Sequence, residues 1–300
     1  MGIEIPYRRD MTFDYGVADE LAPGIRRVIA NNPSPFTFAG TGTYILGTGR
    51  VAVIDPGPAD PEHIDAILAA THGETISHIL ITHTHMDHSP GTPLLLEHCD
   101  ARSFGYGPHG AGKAEEGVPV EEGGDMAFVP DVEVRDGDVL EGDDWSVECV
   151  YTPGHTSNHV CYALREQCAL FTGDHVMGWS TSIISPPDGD MGAYMRSLEK
   201  LLDRDDQVYW PTHGPCIEDT KAHIQAFIEH RREREAQILA CIDDGVGQIE
   251  EMVPRMYAGT PEFMYPAAAR SVLAATTYLV ESGTLACEGD PTLTSIYRRA

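Results

Sequence analysis

The segment THTHMDH, residues 82–88, directly follows a short apolar run of strand length. It places three imidazoles and one carboxylate within six positions, and such groups are costly to bury unless something binds them. On a turn that leaves a strand, the side chains of His83 and His85 point the same way. The chain then turns back, so that the side chains of Asp87 and His88 lie next to them. Imidazole and carboxylate ligands suit zinc, iron or manganese better than calcium or magnesium. The segment therefore predicts a transition-metal site, and a histidine-rich surface loop is the alternative.

The sequence before this segment predicts a β-α-β unit that ends at the histidine cluster. Residues 43–55, TYILGTGRVAVID, form a predicted hairpin in which two apolar, β-branched runs flank a Gly-Thr-Gly turn. Residues 56–58 are Pro-Gly-Pro and end the second strand. Helical spacing predicts a helix over 61–70, and the apolar run 76–82 predicts the next strand.

Four more strands are predicted after the cluster, each bounded by Gly, Pro or Asp. They cover residues 146–151, 160–164, 169–172 and 207–210. Helices are predicted at 93–98 and 191–202, and the segment 105–124, rich in Gly, Pro and Glu, predicts a surface loop. The regular alternation of these elements predicts sheets that are covered by helices.

After His213 the pattern changes, because helices replace the strands. The predicted elements are helices over 219–244, 246–257 and 265–282, and the two strands of a wing over 284–287 and 293–297. Three helices and a wing are typical of a winged-helix domain. We therefore expect a larger domain over residues 1–218 and a winged-helix-like domain over residues 219–300.

The charge balance is strongly acidic, since 20 Lys and Arg against 47 Asp and Glu give −27. Such a surface repels phosphate backbones, which argues against nucleic acid as a partner. The segment 219–300 has eight basic and twelve acidic residues, and Arg270 is the only cation of its third predicted helix. Arg231, Arg232 and Arg234 alternate with glutamates and predict a solvated helix face. We expect the C-terminal domain to be structural, covering a cleft or forming a homodimer contact.

Cysteine usage and the N-terminal residues predict a cytoplasmic protein. The seven cysteines are odd in number and contain no Cys-x-x-Cys pair, which argues against a disulfide framework and a zinc ribbon. Arg8, Arg9 and Asp10 lie where a signal peptide would have an apolar run, and no stretch has the length of a membrane span. We expect a reducing compartment and no membrane partner.

The order H-x-H-x-D-H after a strand resembles the signature of the metallo-β-lactamase fold superfamily. Four further landmarks agree in order and spacing, namely Asp55-Pro56-Gly57, Gly154-His155-Thr156, Gly173-Asp174 and His213-Gly214. The resemblance covers roughly residues 25–216. It implies an α/β fold, the four-layer αββα sandwich, here followed by the C-terminal winged-helix domain.

The resemblance also implies a dinuclear metal centre. One metal would be held by His83, His85 and His155, the second by Asp87, His88 and His213, and Asp174 would bridge both. Two zinc ions, or iron or manganese, would lower the pKa of a bridging water, and the resulting hydroxide would be the nucleophile of a hydrolase. Asp87 and Asp174 are the carboxylates that we expect to be catalytic.

Three residues near these motifs can each be interpreted in two ways. Asp55 resembles the family's acid that orients a ligand histidine, but a turn carboxylate before Pro56 is an equal explanation. His159 and His175 are either proton donors to a leaving group or hydrogen-bonded core residues.

Within the superfamily, the residues favour a hydrolase of small molecules. Asp174 stands where zinc β-lactamases have a cysteine ligand, and His85 stands where flavodiiron oxygen reductases have glutamate, so both activities are disfavoured. Residues 191–239 are similar to the group of β-lactamase-like protein two, a mitochondrial endoribonuclease, whose metal site resembles that of glyoxalase II. We expect hydrolysis of a small ester, thioester or lactone. The alternatives are a single-strand endoribonuclease and a mononuclear iron persulfide dioxygenase.

Overall fold

A computed structural model describes residues 4–110 and 123–300, and two β-sheets packed face to face form its centre. The strands of the first sheet, in both spatial and chain order, are β1 (Asp19–Ala22), β2 (Ile25–Ile29), β3 (Gly42–Leu46), β4 (Arg50–Ile54), β5 (Thr75–Leu80), β6 (Arg102–Gly105) and β7 (Val132–Glu133). Strands β1 to β4 are antiparallel, and strands β4 to β7 are parallel. The predicted hairpin and β-α-β unit form the middle of this sheet.

The second sheet contains the four strands that were predicted between the histidine cluster and His213. Its members are β8 (Val139–Glu141), β9 (Ser146–Tyr151), β10 (Val160–Leu164), β11 (Ala169–Gly173) and β12 (Val208–Pro211). Their spatial order is β12-β11-β10-β9-β8, with β11 and β12 parallel and the other pairs antiparallel. A short 3₁₀ turn at Arg165–Gln167 joins β10 to β11.

Side chains alternate along the central strands and are apolar on both faces. In β4, Ile54 lies in the core between the sheets, and Val53 lies in the core on the outer side. In β10, Tyr162 points toward the first sheet, and Cys161 points outward. Because successive residues of a strand face opposite sides, a strand that is apolar throughout needs a covering layer on each face. The outer faces of both sheets must therefore be covered.

Helices provide the two outer layers. On the first sheet lie α1 (Pro61–Ala70) and α2 (Gly91–Leu96), and on the second lie α3 (Met191–Leu202) and the first half of α4 (Thr220–Asp243). Helix α1 begins where the Asp60 carboxylate accepts a hydrogen bond from the Glu62 N–H, and α3 begins in the same way at Asp190. The predicted αββα sandwich is confirmed. Within residues 4–110 and 123–300, no helix is both long and apolar enough to cross a lipid bilayer.

The C-terminal part has a core of its own. It consists of the second half of α4, α5 (Ile249–Met256), a 3₁₀ turn (Glu262–Met264), α6 (Tyr265–Glu281), and the strands β13 (Leu285–Ala286) and β14 (Arg298–Arg299). Helix α4 contributes to both cores, since Phe227 packs with the sandwich and Ile238 packs with the C-terminal helices. The division at residues 218 and 219 remains a prediction.

The structure differs from the sequence-based expectations at several positions. The second strand of the wing lies at Arg298–Arg299 rather than at 293–297, because it pairs with Leu285–Ala286. Strand β2 was missed because its polar residues, Arg26 and Arg27, hide the alternation; Arg27 is nevertheless buried beside Asp19. The prediction of a solvated arginine face is wrong at Arg231, which is only 6% exposed. Residues 111–122 of the predicted loop lie outside the described residues.

The loop after β9 approaches α3 so closely that only glycine fits at position 154. Gly154 has a φ of 141°, and a Cβ added there would lie 2.3 Å from the Cα of Tyr194. The Gly154 carbonyl also accepts a hydrogen bond from the Asp190 N–H at 2.9 Å. This contact fixes the loop that carries His155.

Replacing Gly154 with Ala should lower the free energy of unfolding by about 3 kcal/mol or more, because backbone strain and overpacking both add to the cost. Gly245→Ala is the matched control, since Gly245 has a φ of 83° but no heavy atom within 4 Å of an added Cβ. The control should lose only about 1 kcal/mol. Urea denaturation of both variants measures the difference, and equal losses would contradict the close contact.

Candidate metal centre

The seven predicted ligands lie together at one rim of the sandwich, where strands from both sheets end. The cluster 82–88 follows β5 of the first sheet. His155 follows β9, Asp174 follows β11 and His213 follows β12, all in the second sheet. All but Asp87 are buried, and Asp87 is half-buried. The packing of the two sheets therefore brings the four segments to one place.

The first group of ligands consists of three imidazoles. His83 Nε2 lies 3.0 Å from His85 Nδ1, and His155 Nε2 lies 3.1 Å from the same atom. The rings of His85 and His155 are perpendicular, with centroids 4.7 Å apart. Three ring nitrogens thus point at one another, as expected for the ligands of a single ion.

The second group contains one carboxylate and two imidazoles. The Asp87 oxygens lie 3.5 Å from His88 Nε2 and 3.2 Å from His213 Nε2. The ring centroids of His88 and His213 are 5.5 Å apart, and the rings are nearly perpendicular. This arrangement can hold a second ion beside the first.

Asp174 lies between the two groups. Its Oδ2 atom is 3.8 Å from His155 Nε2 in the first group. The same atom is 3.6 Å from His88 Nε2 and 3.3 Å from His213 Nε2 in the second group. One carboxylate oxygen therefore faces both groups, as a bridging ligand must.

Hydrogen bonds outside the cluster orient its rings. His88 Nδ1 donates to Asp55 Oδ2 at 2.9 Å, which turns Nε2 toward the interior. Asp55 itself accepts from the backbone N–H and the hydroxyl of Thr82, at 2.8 Å and 2.6 Å. His155 Nδ1 and His213 Nδ1 each donate to a backbone carbonyl. Asp55 therefore orients His88, one of the predicted ligands, and its carboxylate does not bond the turn that follows it.

Sequence reasoning missed a polar chain that holds Asp87. The Thr41 hydroxyl donates to Asp87 Oδ2 at 2.9 Å. Thr41 is held in turn by Asn32, which donates to that hydroxyl and accepts from the Thr41 N–H. No local motif marks these two residues, because they reach the cluster from the loop between β2 and β3.

His159 and His175 lie behind the cluster. His159 Nδ1 is 2.9 Å from Thr152 Oγ1, and its Nε2 accepts from the Asp174 N–H at 3.2 Å. His175 is fully buried against Tyr194, and burial lowers the pKa of His175 to about 3. The contacts of His159 are those of a core residue that positions Asp174.

Burial and charge set different protonation states in the two groups. Burial lowers the pKa of His83 and of His85 well below the ordinary value, so both rings are neutral. Burial also lowers the pKa of His88, but the facing carboxylates outweigh it and raise that pKa well above the ordinary value. Burial lowers the pKa of His213 as well, but the carboxylates of Asp174 and Asp87 outweigh it and raise that pKa to about 10. The second group thus favours positive charge.

Two buried polar atoms of the cluster lack hydrogen-bond partners within the described residues, which fits bound cations. His88 Nε2 and Asp174 Oδ1 are buried and make no hydrogen bond within the described residues. Buried polar atoms without partners are costly, and a metal ion would satisfy both. Nitrogen donors with carboxylate oxygens suit zinc, iron or manganese. The residues present therefore fit the metal pair that the sequence predicts.

Two cavities meet at the cluster. The first, which we call the C-terminal cavity, has a volume of about 220 Å³ and is lined by His155, Asp174, Trp179, Arg231, Tyr257 and Ala268, among others. The second, the loop cavity, has a volume of about 240 Å³ and is lined by Asn32, Ser34, Phe36, Asp87, Asp174 and His213, among others. Asp174 and Phe36 line both cavities, so the cluster is accessible from two sides.

Known proteins resemble this chain in sequence. Lactamase-like protein adaB of Aspergillus niger is 29% identical over 290 residues, which cover 91% of this chain and 85% of that protein. The atrochrysone carboxyl ACP thioesterase of Aspergillus fumigatus is 34% identical over 239 residues, which cover 77% of this chain and 69% of that protein.

Solved structures share the fold at low sequence identity. A beta-lactamase domain protein from Burkholderia ambifaria has a TM-score of 0.79 and 20% identity, with 97% of this chain and 96% of that chain covered. A metallo-beta-lactamase family protein from Thermus thermophilus has a TM-score of 0.75 and 22% identity, with 94% of this chain and 100% of that chain covered. In both cases the alignment includes the C-terminal part of this chain.

Family models match both parts of the chain. Residues 249–286 match the beta-lactamase associated winged helix domain, which confirms the predicted C-terminal fold. Residues 37–213, from the loop before β3 to the last ligand, match the metallo-beta-lactamase superfamily. The chain therefore belongs to the metallo-β-lactamase superfamily and is a hydrolase of that superfamily with a winged-helix domain.

Proposed function

We propose that this chain is a dinuclear metal-dependent hydrolase of an acyl thioester. Three overlapping groups of ligand atoms support the dinuclear centre, namely His83-His85-His155, Asp87-His88-His213, and His83-His88-Asp174, which draws one histidine from each of the other two. Relatives at 32% and 34% identity are named atrochrysone carboxyl ACP thioesterases, which favours a thioester over an ester or a lactone. Thioesters, esters and lactones are all cleaved by attack at an acyl carbon, so one centre suits all three.

The position of Asp174 carries this proposal. Its Oδ2 atom faces both ligand groups, and its side chain lines both cavities. An acyl carbon placed at the cluster can therefore extend its acyl group into one cavity and its thiol group into the other. Holding both substituents would align the reacting carbon before attack.

The ligand assignment follows the two groups. His83, His85 and His155 would hold one metal, Asp87, His88 and His213 would hold the other, and Asp174 would bridge both. When bound, a pair of zinc ions supplies Lewis acidity and a water of lowered pKa. The chain itself contributes the orientation of the ligands, because Asp55 fixes His88, Thr41 fixes Asp87 and His159 fixes the Asp174 backbone.

Both cavities have walls of mixed polar and apolar residues. Met177, Ile183 and Ala267 give the C-terminal cavity apolar surface, which suits an acyl group. Asn32, Ser34 and Thr37 give the loop cavity uncharged polar groups beside Phe36 and Met86, and we assign this cavity to the thiol side of the thioester. We propose a small-molecule thioester as substrate, a cytoplasmic location, and no nucleic acid partner, since the acidic charge of −27 opposes RNA. A homodimer contact through the C-terminal domain stays a prediction.

Asp174→Ala should lose one of two metal ions, because two cations would then face each other with less shared negative charge. Elemental analysis should fall from about two ions per chain toward one, and hydrolysis should fall by roughly 100-fold or more. Asp205→Ala is the control, since the Asp205 side chain is 99% exposed. Wild-type metal content and turnover in Asp174→Ala would show that Asp174 is not the bridge.

Asp55→Asn should weaken metal binding by about 10- to 100-fold, because the neutral amide no longer holds the His88 N–H with a charge. Competition with a chromogenic chelator measures the affinity. Asp65→Asn, at an exposed position of α1, provides the control and should bind as the wild type does. An unchanged affinity in Asp55→Asn would leave Asp55 without a role in the centre.

Zinc-loaded protein should hydrolyse small acyl thioesters and bind single-stranded RNA weakly at physiological salt. A thioester and ester panel run beside fluorescence anisotropy with labelled RNA at two salt concentrations separates the alternatives. Tight, salt-dependent RNA binding with cleavage that is lost in His83→Ala would establish the endoribonuclease instead. Oxygen consumption with a persulfide by protein that holds a single iron would establish the dioxygenase.

A further inference from the structure

Arg231 is a buried cation in the wall of the C-terminal cavity. Its side chain lies on α4, is 6% exposed, and lines the same cavity as His155 and Asp174. Burying a guanidinium costs free energy unless an anion or several hydrogen bonds compensate. The contacts of Arg231 therefore show whether its buried charge is compensated.

No carboxylate within the described residues pairs with Arg231. Its neighbour Arg232 lies 3.6 Å from Glu199, and Arg204 lies 2.7 Å from Asp206. Arg231 instead donates to the Ser182 carbonyl and lies over the Tyr194 ring at 5.1 Å. Its Nε atom is buried and makes no hydrogen bond in the part of the chain that the structure describes. The buried charge is thus only partly satisfied.

Further donors line the same cavity. Arg234 is held there by the Met256 carbonyl at 2.9 Å and by the Tyr257 ring at 4.5 Å from its guanidinium carbon. His230 also lines the cavity, and its Nδ1 atom is buried without a hydrogen bond to any described residue. In a chain with 47 acidic and 20 basic residues, the one acid that residues 4–110 and 123–300 place in this wall is Asp174. The part of the wall that α4 contributes is therefore positive, through Arg231 and Arg234.

We propose that Arg231, with Arg234, binds a carboxylate at the far end of the acyl group, so that the preferred substrates are thioesters of dicarboxylic acids. This assignment rests on the proposed thioesterase function. The planar guanidinium matches a carboxylate, and Met177, Ile183 and Ala267 give the same cavity apolar surface for the carbons of the acyl group. The phosphate of a thiol carrier is the other source of an oxyanion. It would lie on the thiol side of the thioester, which we assign to the loop cavity and not to the cavity that contains Arg231.

The first test compares substrates that differ only in the second carboxylate. N-acetylcysteamine thioesters of glutaric and pentanoic acid contain no phosphate, and wild-type kcat/KM should be about 10- to 100-fold higher for the glutaryl compound. In Arg231→Gln this ratio should fall to near one, whereas in Arg232→Gln it should stay as in the wild type. A wild type without this preference overturns the assignment. If pentanoyl coenzyme A is hydrolysed at least about tenfold faster than the N-acetylcysteamine thioester of pentanoic acid, and this advantage is lost in Arg231→Gln, the site binds phosphate and the assignment is also overturned.

The second test does not depend on turnover. Calorimetry should show that glutarate binds at least about tenfold more tightly than pentanoate, and adipate more tightly than hexanoate, with the difference absent in Arg231→Gln. If no thioester is cleaved but this difference is found, the thioesterase function fails and the anion site stands. If circular dichroism shows that Arg231→Gln does not fold, Arg234→Gln replaces it in the test. The difference in affinity between glutarate and pentanoate should then be at least threefold smaller than in the wild type. An unchanged difference would overturn the site.

Discussion

The position of the Asp174 carboxylate, which faces both histidine groups, sets the constraint that the rest of the structure satisfies. One oxygen can face two groups of ligands only if their segments end at the same rim, although the segments belong to two different sheets. The core between the sheets fixes that relation, since Tyr44, Tyr162 and Phe171 leave no room for the sheets to slide. Close packing far from the metal centre thus controls distances within it.

The local signals of the sequence predicted the fold and the residues that gather in the cluster well, because they depend on neighbouring residues. Helices α1 and α3 begin and end as predicted, since an aspartate caps each start and the apolar spacing is regular. The motif 82–88 was equally informative, because a strand end and a tight turn determine where its side chains point. The strands β1, β2, β6, β7 and β8 were missed, since they are short or interrupted by charged residues.

Features that depend on distant contacts could not be predicted. Thr41 and Asn32 carry no motif, and only the folded chain places them against Asp87. Arg231 lies in a run of alternating charges that is typical of a solvated helix, yet the helix turns this one residue toward the sandwich. Helical spacing cannot tell which face of α4 is covered, because two different cores cover different halves of it.

Because α4 runs from one core into the other, different parts of the chain form the candidate metal centre and the wall of the C-terminal cavity. The ligands lie between residues 83 and 213, whereas much of the wall of the C-terminal cavity lies between residues 230 and 271. Substitutions in the second segment can alter which molecule fits while the reacting centre stays intact. In a lineage of duplicated genes, this separation lets new substrate ranges arise through changes in α4 to α6, with the older chemistry inherited unchanged.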